Sequence, residues 1–267
     1  MKEVMLFNVS GQKSTLKLPA QFDEIVRPDV IRRAVHVLQS VQRQRYGTDP
    51  RAGKRVSAKL SKRRRNYRGS YGHGISRIPR KIMSRRGRHF NWVGAMVPQA
   101  IGGMRAHPPK ADKCWAQKMN VKQRRKAIRS AMAATLFRDI VENRGHKIPE
   151  QYPFVAEGLE DLKKTKDVHK ALSQWGFAVE LAKCKKRNER AGRAKTRGRR
   201  RKVRKGPLLV VDDTCSLQFA ARNIAGIDIA TVKSLNAALL APGGQAGRAT
   251  IFTKKAIDKI AKENLFQ

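Results

Sequence analysis

The chain opens with Val4-Met5-Leu6-Phe7-Asn8-Val9 and Thr15-Leu16-Lys17-Leu18 on either side of Ser10-Gly11-Gln12-Lys13, the pattern of a short hairpin closed by Pro19. From Pro28 the period changes. Val30, Ile31, Ala34, Val35, Leu38 and Val41 recur at helical spacing, and Pro28 sits in the first turn, where its missing donor costs nothing, so a helix is predicted over Pro28–Gln42. From Tyr46 to Ala116 no period persists, and Gly, Pro and basic clusters interrupt the chain every few residues. Helical spacing resumes at Val121 and runs through Ile128, Met132, Leu136 and Val141 to Gly145, with Asn120 as N-cap and Gly145 as C-cap. Phe154-Val155 reads as a short strand, and Leu159, Leu162, Val168, Leu172 and Trp175 mark another amphipathic helix.

The C-terminal part alternates. Pro207–Asp213 is a continuous apolar run ending in two acids, as in a parallel strand buried on both faces. A short helix over Ala220–Ile224, a strand over Ile227–Val232, a short helix over Ser234–Leu240 and a strand over Ala249–Thr253 follow, and Thr253 caps a closing helix, Lys254–Asn264. Strands alternating with short helices predict the fold class: α/β, a globular domain with an open, mainly parallel sheet flanked by helices, plus a long irregular basic extension loop. The domain is expected over residues 1–42 and 117–267, the extension over 43–116, and a second basic segment over 183–206. Removing the two basic tracts leaves roughly 160 residues, the size of one ordinary domain.

Charge then changes the picture. The 267 residues carry 60 Lys and Arg against 20 Asp and Glu, a net charge of +40. Between Arg43 and Arg125 stand 24 of the cations with only two acids, Asp49 and Asp112. A stretch so basic and so poor in aliphatic residues is expected not to fold alone but to order on a polyanion, and RNA fits best. In the free protein its amides are then expected to exchange like those of an unfolded chain, with RNA protecting them. Arg outnumbers Lys there by 16 to 8, and Arg pairs with phosphate bidentately and stacks on bases.

The expected RNA contacts are Arg45, Lys54, Arg55, Lys62, Arg63, Arg64, Arg65, Arg68, Arg77, Arg80, Arg105, Lys110, Arg124 and Arg125. The second tract adds Arg193, Arg197, Arg199, Arg200, Arg201 and Arg204. Tyr67, Tyr71, Phe90, Trp92 and Trp115 offer ring faces on which unpaired bases stack, and the glycines allow close backbone approach to RNA. For Trp115 a small satellite core is the competing reading. An isolated cluster such as Lys183–Arg187 also reads as a solvated face.

Catalytic readings are weaker. Gly47, Gly53-Lys54 and Arg55 differ from a phosphate-binding loop, with five residues between the glycines and Arg where Ser or Thr should hold magnesium. His36 reads as a helix-surface or core residue, and His73, His89 and His107 as RNA-contacting or solvated. Asp212-Asp213 at a strand end reads as a cap or turn. Cys114, Cys184 and Cys215 form no zinc-ligand pattern and are expected as free thiols in a reducing compartment. No metal, cofactor, secretory leader or membrane span is expected. An accessory RNA-binding protein, an RNA-modifying enzyme and a regulator that binds mRNA or DNA by charge alone are the competing classes.

Particular residues carry a resemblance. Gly102-Gly103-Met104-Arg105-Ala106-His107-Pro108-Pro109-Lys110 with Trp115 and Asn120, Arg27-Pro28-Asp29, Ser76–Arg80, Arg222–Ile227 and Leu239–Arg248 together resemble the large-subunit ribosomal protein four family, in its archaeal and eukaryotic branch. The resemblance implies a cytoplasmic structural protein of the large ribosomal subunit that binds rRNA early in assembly. It also implies an extension reaching the polypeptide exit tunnel beside the ribosomal protein of the twenty-two family and touching the nascent peptide transiently, without forming a homo-oligomer. By position the tip falls at Arg80–Gly94, so Arg85, Arg86, Arg88, His89 and Trp92 are expected at the tunnel wall or adjacent rRNA. Relatives are glycine-rich there, whereas Lys81–Ser84 and Asn91–Val93 are bulkier. The Lys183–Lys205 tract matches a basic segment of the non-bacterial branch.

Overall fold

Every local periodicity just described must be satisfied by hydrogen-bonded elements, and the computed structural model, which describes residues 3–9 and 13–267, shows where this happens. Strands β1 (Glu3–Asn8) and β2 (Lys13–Lys17) form the expected antiparallel pair, Val4 opposite Leu16; the turn residues Ser10, Gly11 and Gln12 lie outside the described residues. Helix α1 (Pro28–Gln42) has the predicted bounds, with Ile31, Ala34 and Val35 buried. Next come β3 (Arg80–Arg86), β4 (His89–Gly94), α2 (Val121–Ala134), α3 (Arg138–Asn143), β5 (Phe154–Glu157), α4 (Thr165–Leu172) and α5 (Ala178–Lys185). The basic tract holds β6 (Asn188–Glu189), α6 (Arg193–Thr196) and β7 (Arg201–Lys202). The alternating C-terminal part contains β8 (Leu208–Val211), α7 (Ser216–Ala221), β9 (Asp228–Thr231), α8 (Ala237–Leu240), β10 (Thr250–Thr253) and α9 (Lys254–Lys262). The chain divides into two compact units, Met1–Gln42 with Ala116–Gln267, and Arg43–Trp115.

The first unit is built on a six-stranded sheet in the order β2-β1-β5-β10-β8-β9. Only the β1–β2 pairing is antiparallel; β1–β5, β5–β10, β10–β8 and β8–β9 are parallel. The continuous apolar run of β8 serves both faces because successive side chains of a strand point in opposite directions. Leu208 and Val210 enter one core with Phe22, Ile31, Met132, Phe252 and Ile257, while Leu209 and Val211 enter a second with Phe154, Leu172, Phe177, Leu217 and Ile251. Helices α1, α2, α8 and α9 cover the first face and α3, α4, α5 and α7 the second. The sheet is therefore sandwiched between helices, the α/β class that the pattern predicts.

Several elements differ from the pattern, among them α7, which spans Ser216–Ala221 instead of the expected Ala220–Ile224. The helix expected to run unbroken from Val121 to Val141 stops at Ala134 and restarts at Arg138. Thr135 is buried, its Oγ1 donates to the carbonyl of Met132 at 2.7 Å, and its own carbonyl accepts the Tyr152 hydroxyl at 2.5 Å. That carbonyl is thus engaged by a phenol from a distant segment rather than by the amide four residues on. Asn120 holds the N-cap backbone position without a side-chain capping bond. The helix expected from Leu159 begins at Thr165, and at Gly176, with φ of 87°, the chain turns into α5, which the basic reading of Lys183 and Lys185 concealed. At the C-terminus the expected cap is made: Thr253 Oγ1 accepts the Ala256 amide at 3.3 Å and donates to Glu160 at 2.6 Å.

Candidate nucleic-acid interface

In the second unit, aromatic residues alternate with polar ones over His89–Trp92, and Gly87 takes φ of 56° at the turn before them. The result is a hairpin, Arg80 opposite Gly94 and Arg86 opposite His89, with a bulge between Ile82 and Ser84. This corrects the expectation of a stretch without secondary structure. The signal was present in the alternation of Phe90, Trp92 and Gly94, which are partly buried while His89, Asn91 and Val93 are exposed. Tyr67 meets Phe90 edge to face at 5.3 Å and Phe90 stacks on Trp92 at 5.2 Å with the planes 19° apart. Arg85 donates to the Tyr67 hydroxyl at 2.7 Å, Arg80 lies over Trp92 at 5.6 Å and Arg77 over Tyr71 at 4.3 Å.

The glycine-rich motifs have an internal use that the sequence reading assigned to RNA. A Cβ on Gly103 would lie 2.0 Å from the Val97 carbonyl, and Gly53, with φ of 76°, packs against the backbone of Gly103 and Met104. Thr48 N donates to the Pro109 carbonyl at 3.0 Å. The segment once compared with a phosphate loop is thus a backbone partner of the Gly102–Lys110 motif. Trp115 is partly buried among neighbours of its own unit: Tyr46, half exposed, lies 5.0 Å away, and Arg43, absent from the candidates, sits 4.4 Å above the indole with Lys113 at 5.0 Å.

All the candidate RNA contacts are exposed except Arg80, which is partly buried. Several are engaged within the protein. Arg55 pairs with Asp49; Arg80 donates to Ser76 Oγ at 3.0 Å; Arg125 donates to the Gln267 carbonyl at 2.6 Å. In the second tract Glu189 gathers Arg200 at 2.9 Å and Lys195 at 3.3 Å, tying the β6–β7 pair to α6. Arg85, Arg86, Arg88 and His89 at the hairpin end are exposed, and Trp92 is partly buried.

The end of that tract is anchored by Arg248, whose burial no local pattern revealed. Its side chain is fully enclosed, and its guanidinium donates to the Gly206 carbonyl at 2.9 Å, the Leu239 carbonyl at 3.0 Å and Asp228 at 2.7 Å. Burial pulls its pKa down, opposed by Asp228. For Asp228 burial acts upward, yet Lys205 and Arg248 hold the carboxyl below its ordinary value. Arg144 donates to the carbonyls of Pro242 at 2.6 Å and Ala246 at 3.4 Å, and burial together with the nearby Arg248 lowers it to about 10. Two arginines thus fasten the loop inside Leu239–Arg248.

The groups an enzyme would need are committed elsewhere. Lys259 lies 2.6 Å from both Asp212 and Asp213, so the paired acids close a strand-to-helix contact. His146 and Glu180 form a buried pair at 2.7 Å, with the Lys147 amide and Lys183 also on Glu180. Burial pushes Glu180 upward, but these partners leave it below its ordinary value. None of the three cysteines is in a disulfide: Cys114 is exposed, and burial raises the Cys184 and Cys215 thiols. Among the described residues no group of three or more His, Cys, Asp or Glu is placed to hold a metal ion, and no helix is long and apolar enough to cross a membrane.

Comparison with known proteins decides the family. The profile of the "Ribosomal protein L4/L1 family" matches residues 16–263. The chain belongs to this family. It is similar to large ribosomal subunit protein uL4 of Nanoarchaeum equitans, 48% identical over 99% of each chain. The same protein of Methanosphaera stadtmanae is 41% identical, covering 100% of this chain and 98% of the relative, and that of Archaeoglobus fulgidus is 41% identical over 96% and 97%. The family match encloses both basic tracts and the motifs around Gly102–Lys110, Arg222–Ile227 and Leu239–Arg248, so the resemblance read from those residues holds along the chain.

Proposed function

We propose that the chain is a structural constituent of the large ribosomal subunit, working in the cytoplasmic ribosome as an rRNA-binding protein and not as an enzyme. It joins the rRNA early in assembly and contacts several of its domains. Residues 43–116 act as an extension threaded through rRNA, with residues 183–206 as a further contact. Arg85, Arg86, Arg88, His89 and Trp92 at the hairpin stand at the exit-tunnel wall or the rRNA beside it, next to the twenty-two-family protein, where the nascent peptide passes. The observation that carries this reading is the density of cations: 24 Lys and Arg with two acids between Arg43 and Arg125, all exposed but the partly buried Arg80 and Lys81.

The mechanism follows from charge and shape. Exposed Arg and Lys release counterions from phosphates and supply affinity, while aromatic faces and RNA shape supply selectivity. The paired acids that an RNA-modifying enzyme would use are taken up by Lys259, so the enzymatic alternative gains nothing.

Sedimentation of native lysate through sucrose, in moderate and in high salt and again after subunit dissociation, tests the reading. The protein is expected to follow the large subunit, one copy each, and to resist the high-salt wash. Recovery in light fractions, or free loss on washing, would move an accessory RNA-binding role to the front.

A further inference from the structure

Beside the hairpin, the loop carrying Tyr67 closes a cleft of about 790 Å³, within the roughly 300–1,000 Å³ of sites that take small organic groups. Tyr67, Phe90 and Trp92 line it, and Arg65, Arg68 and Arg88 stand in the same wall; no acid does. The rings form a continuous ladder, Tyr67 to Phe90 at 5.3 Å and Phe90 to Trp92 at 5.2 Å. Tyr67 is half exposed, and Arg85 fixes its hydroxyl at 2.7 Å. Arg65 and Arg68 bracket Tyr67 with φ of 54° and 66°, left-handed values that an L side chain adopts only against steric cost. Such strain persists where the surrounding structure holds a side chain in place for use.

Flat apolar faces beside unopposed cations match one chemistry: a planar heteroaromatic ring joined to phosphates. We propose that this cleft is a pocket for one unpaired nucleobase of RNA, the base lying against the Tyr67–Phe90–Trp92 ladder and its flanking phosphates on Arg65, Arg68 and Arg88. A paired base is excluded, since its faces are already stacked within the helix. The inference rests on the RNA-binding reading and sharpens it, because Trp92 gains a base partner in addition to its place near the hairpin end.

The chain has three Trp residues, so the full-length Trp115→Phe, Trp175→Phe variant reports on Trp92 alone. Its emission is titrated with a short oligoadenylate, an abasic ribose-phosphate strand of equal length, and adenosine monophosphate. Binding of the two strands is followed separately by anisotropy of end-labelled copies. Oligoadenylate is expected to quench Trp92 and the abasic strand to bind without quenching. In the same background Phe90→Ala should weaken oligoadenylate binding on the order of tenfold or more, leave the abasic strand unaffected, and be rescued by Phe90→Tyr, which restores a ring. Binding of both strands with equal quenching, or with none, overturns the pocket and leaves RNA binding standing. Failure of both strands to bind overturns the RNA-binding reading and the pocket with it. Equal quenching by adenosine monophosphate at the same base concentration overturns the assignment to a base within RNA.

Discussion

Arg248 shows how one side chain in a protein of this charge can be structural. A guanidinium out of water must find several acceptors, and this one has Asp228 and the carbonyls of Gly206 and Leu239. Arg248→Met would leave the buried Gly206 carbonyl and the partly buried Leu239 carbonyl unpaired and Asp228 with Lys205 alone, a loss of about 3 kcal/mol, the low end of the usual cost of breaking a buried pair because Asp228 is only partly buried. Urea unfolding measures it; a loss no larger than that of an exposed arginine such as Arg63→Met would show the contacts to be incidental. Glu180 and Asp228 set the acid limit. Their ordinary values are 4.5 and 3.8, and both are lower in the folded protein. The unfolded chain therefore takes up protons first, so the stability they contribute is complete above those values and is lost as pH falls from them through the lower values of the folded protein. Stability measured from neutral pH down to about 3 should drop more steeply for the native protein than for Glu180→Gln or Asp228→Asn. Equal slopes would mean that the two carboxylates do not govern acid unfolding.

At the scale of elements, the interruption between α2 and α3 and the hairpin β3–β4 depart furthest from the linear pattern. Amphipathic periodicity passes straight across Thr135 and Leu136, because a period records which face is apolar and not whether a distant hydroxyl takes a carbonyl. The hairpin is hidden for the opposite reason: its exposed positions mix Met83, Ser84, Arg85, Arg86, His89, Asn91 and Val93, so little alternation shows beyond Phe90 and Trp92. A two-stranded sheet is marginal alone in water. Hydrogen exchange on the free protein should accordingly show slowed amides at the Lys81–Val93 and Arg86–His89 pairings, and rates near those of an unfolded chain for most of Thr48–Ser76. RNA is expected to protect both. Uniform fast exchange across β3 and β4 would mean that the hairpin forms only on RNA.

For the whole molecule, a net charge of +40 makes ionic strength the controlling variable. If roughly ten phosphates are contacted, log K should fall with log salt at a slope of about −7 to −9. Replacing Arg63, Arg64 and Arg65 together by Gln, all exposed, should reduce the slope by about 2–3 while leaving the unfolding midpoint unchanged. A slope near zero in the native protein would defeat the phosphate mechanism. An unchanged slope in the triple variant would move the contacts to other cations, among which the exposed Arg193, Arg197, Arg199, Arg201 and Arg204 of the second tract are the first to replace.

By itself the sequence determined the α/β class, the bounds of α1, the both-face burial of β8, the Thr253 cap and the two basic tracts. These are properties of residues within one or two turns of one another, where pattern and propensity act directly. Its motifs also indicated the family, because runs such as Leu239–Arg248 are long and specific. Only the tertiary structure decided that Arg248 is interior while its many chemical equals are exposed, that Lys259 closes on Asp212 and Asp213, that Tyr152 ends α2, and that Tyr67 meets Phe90 and Trp92. Each of these joins residues far apart in the chain, and the energy that selects them, desolvation balanced by specific partners, arises only once the chain is folded.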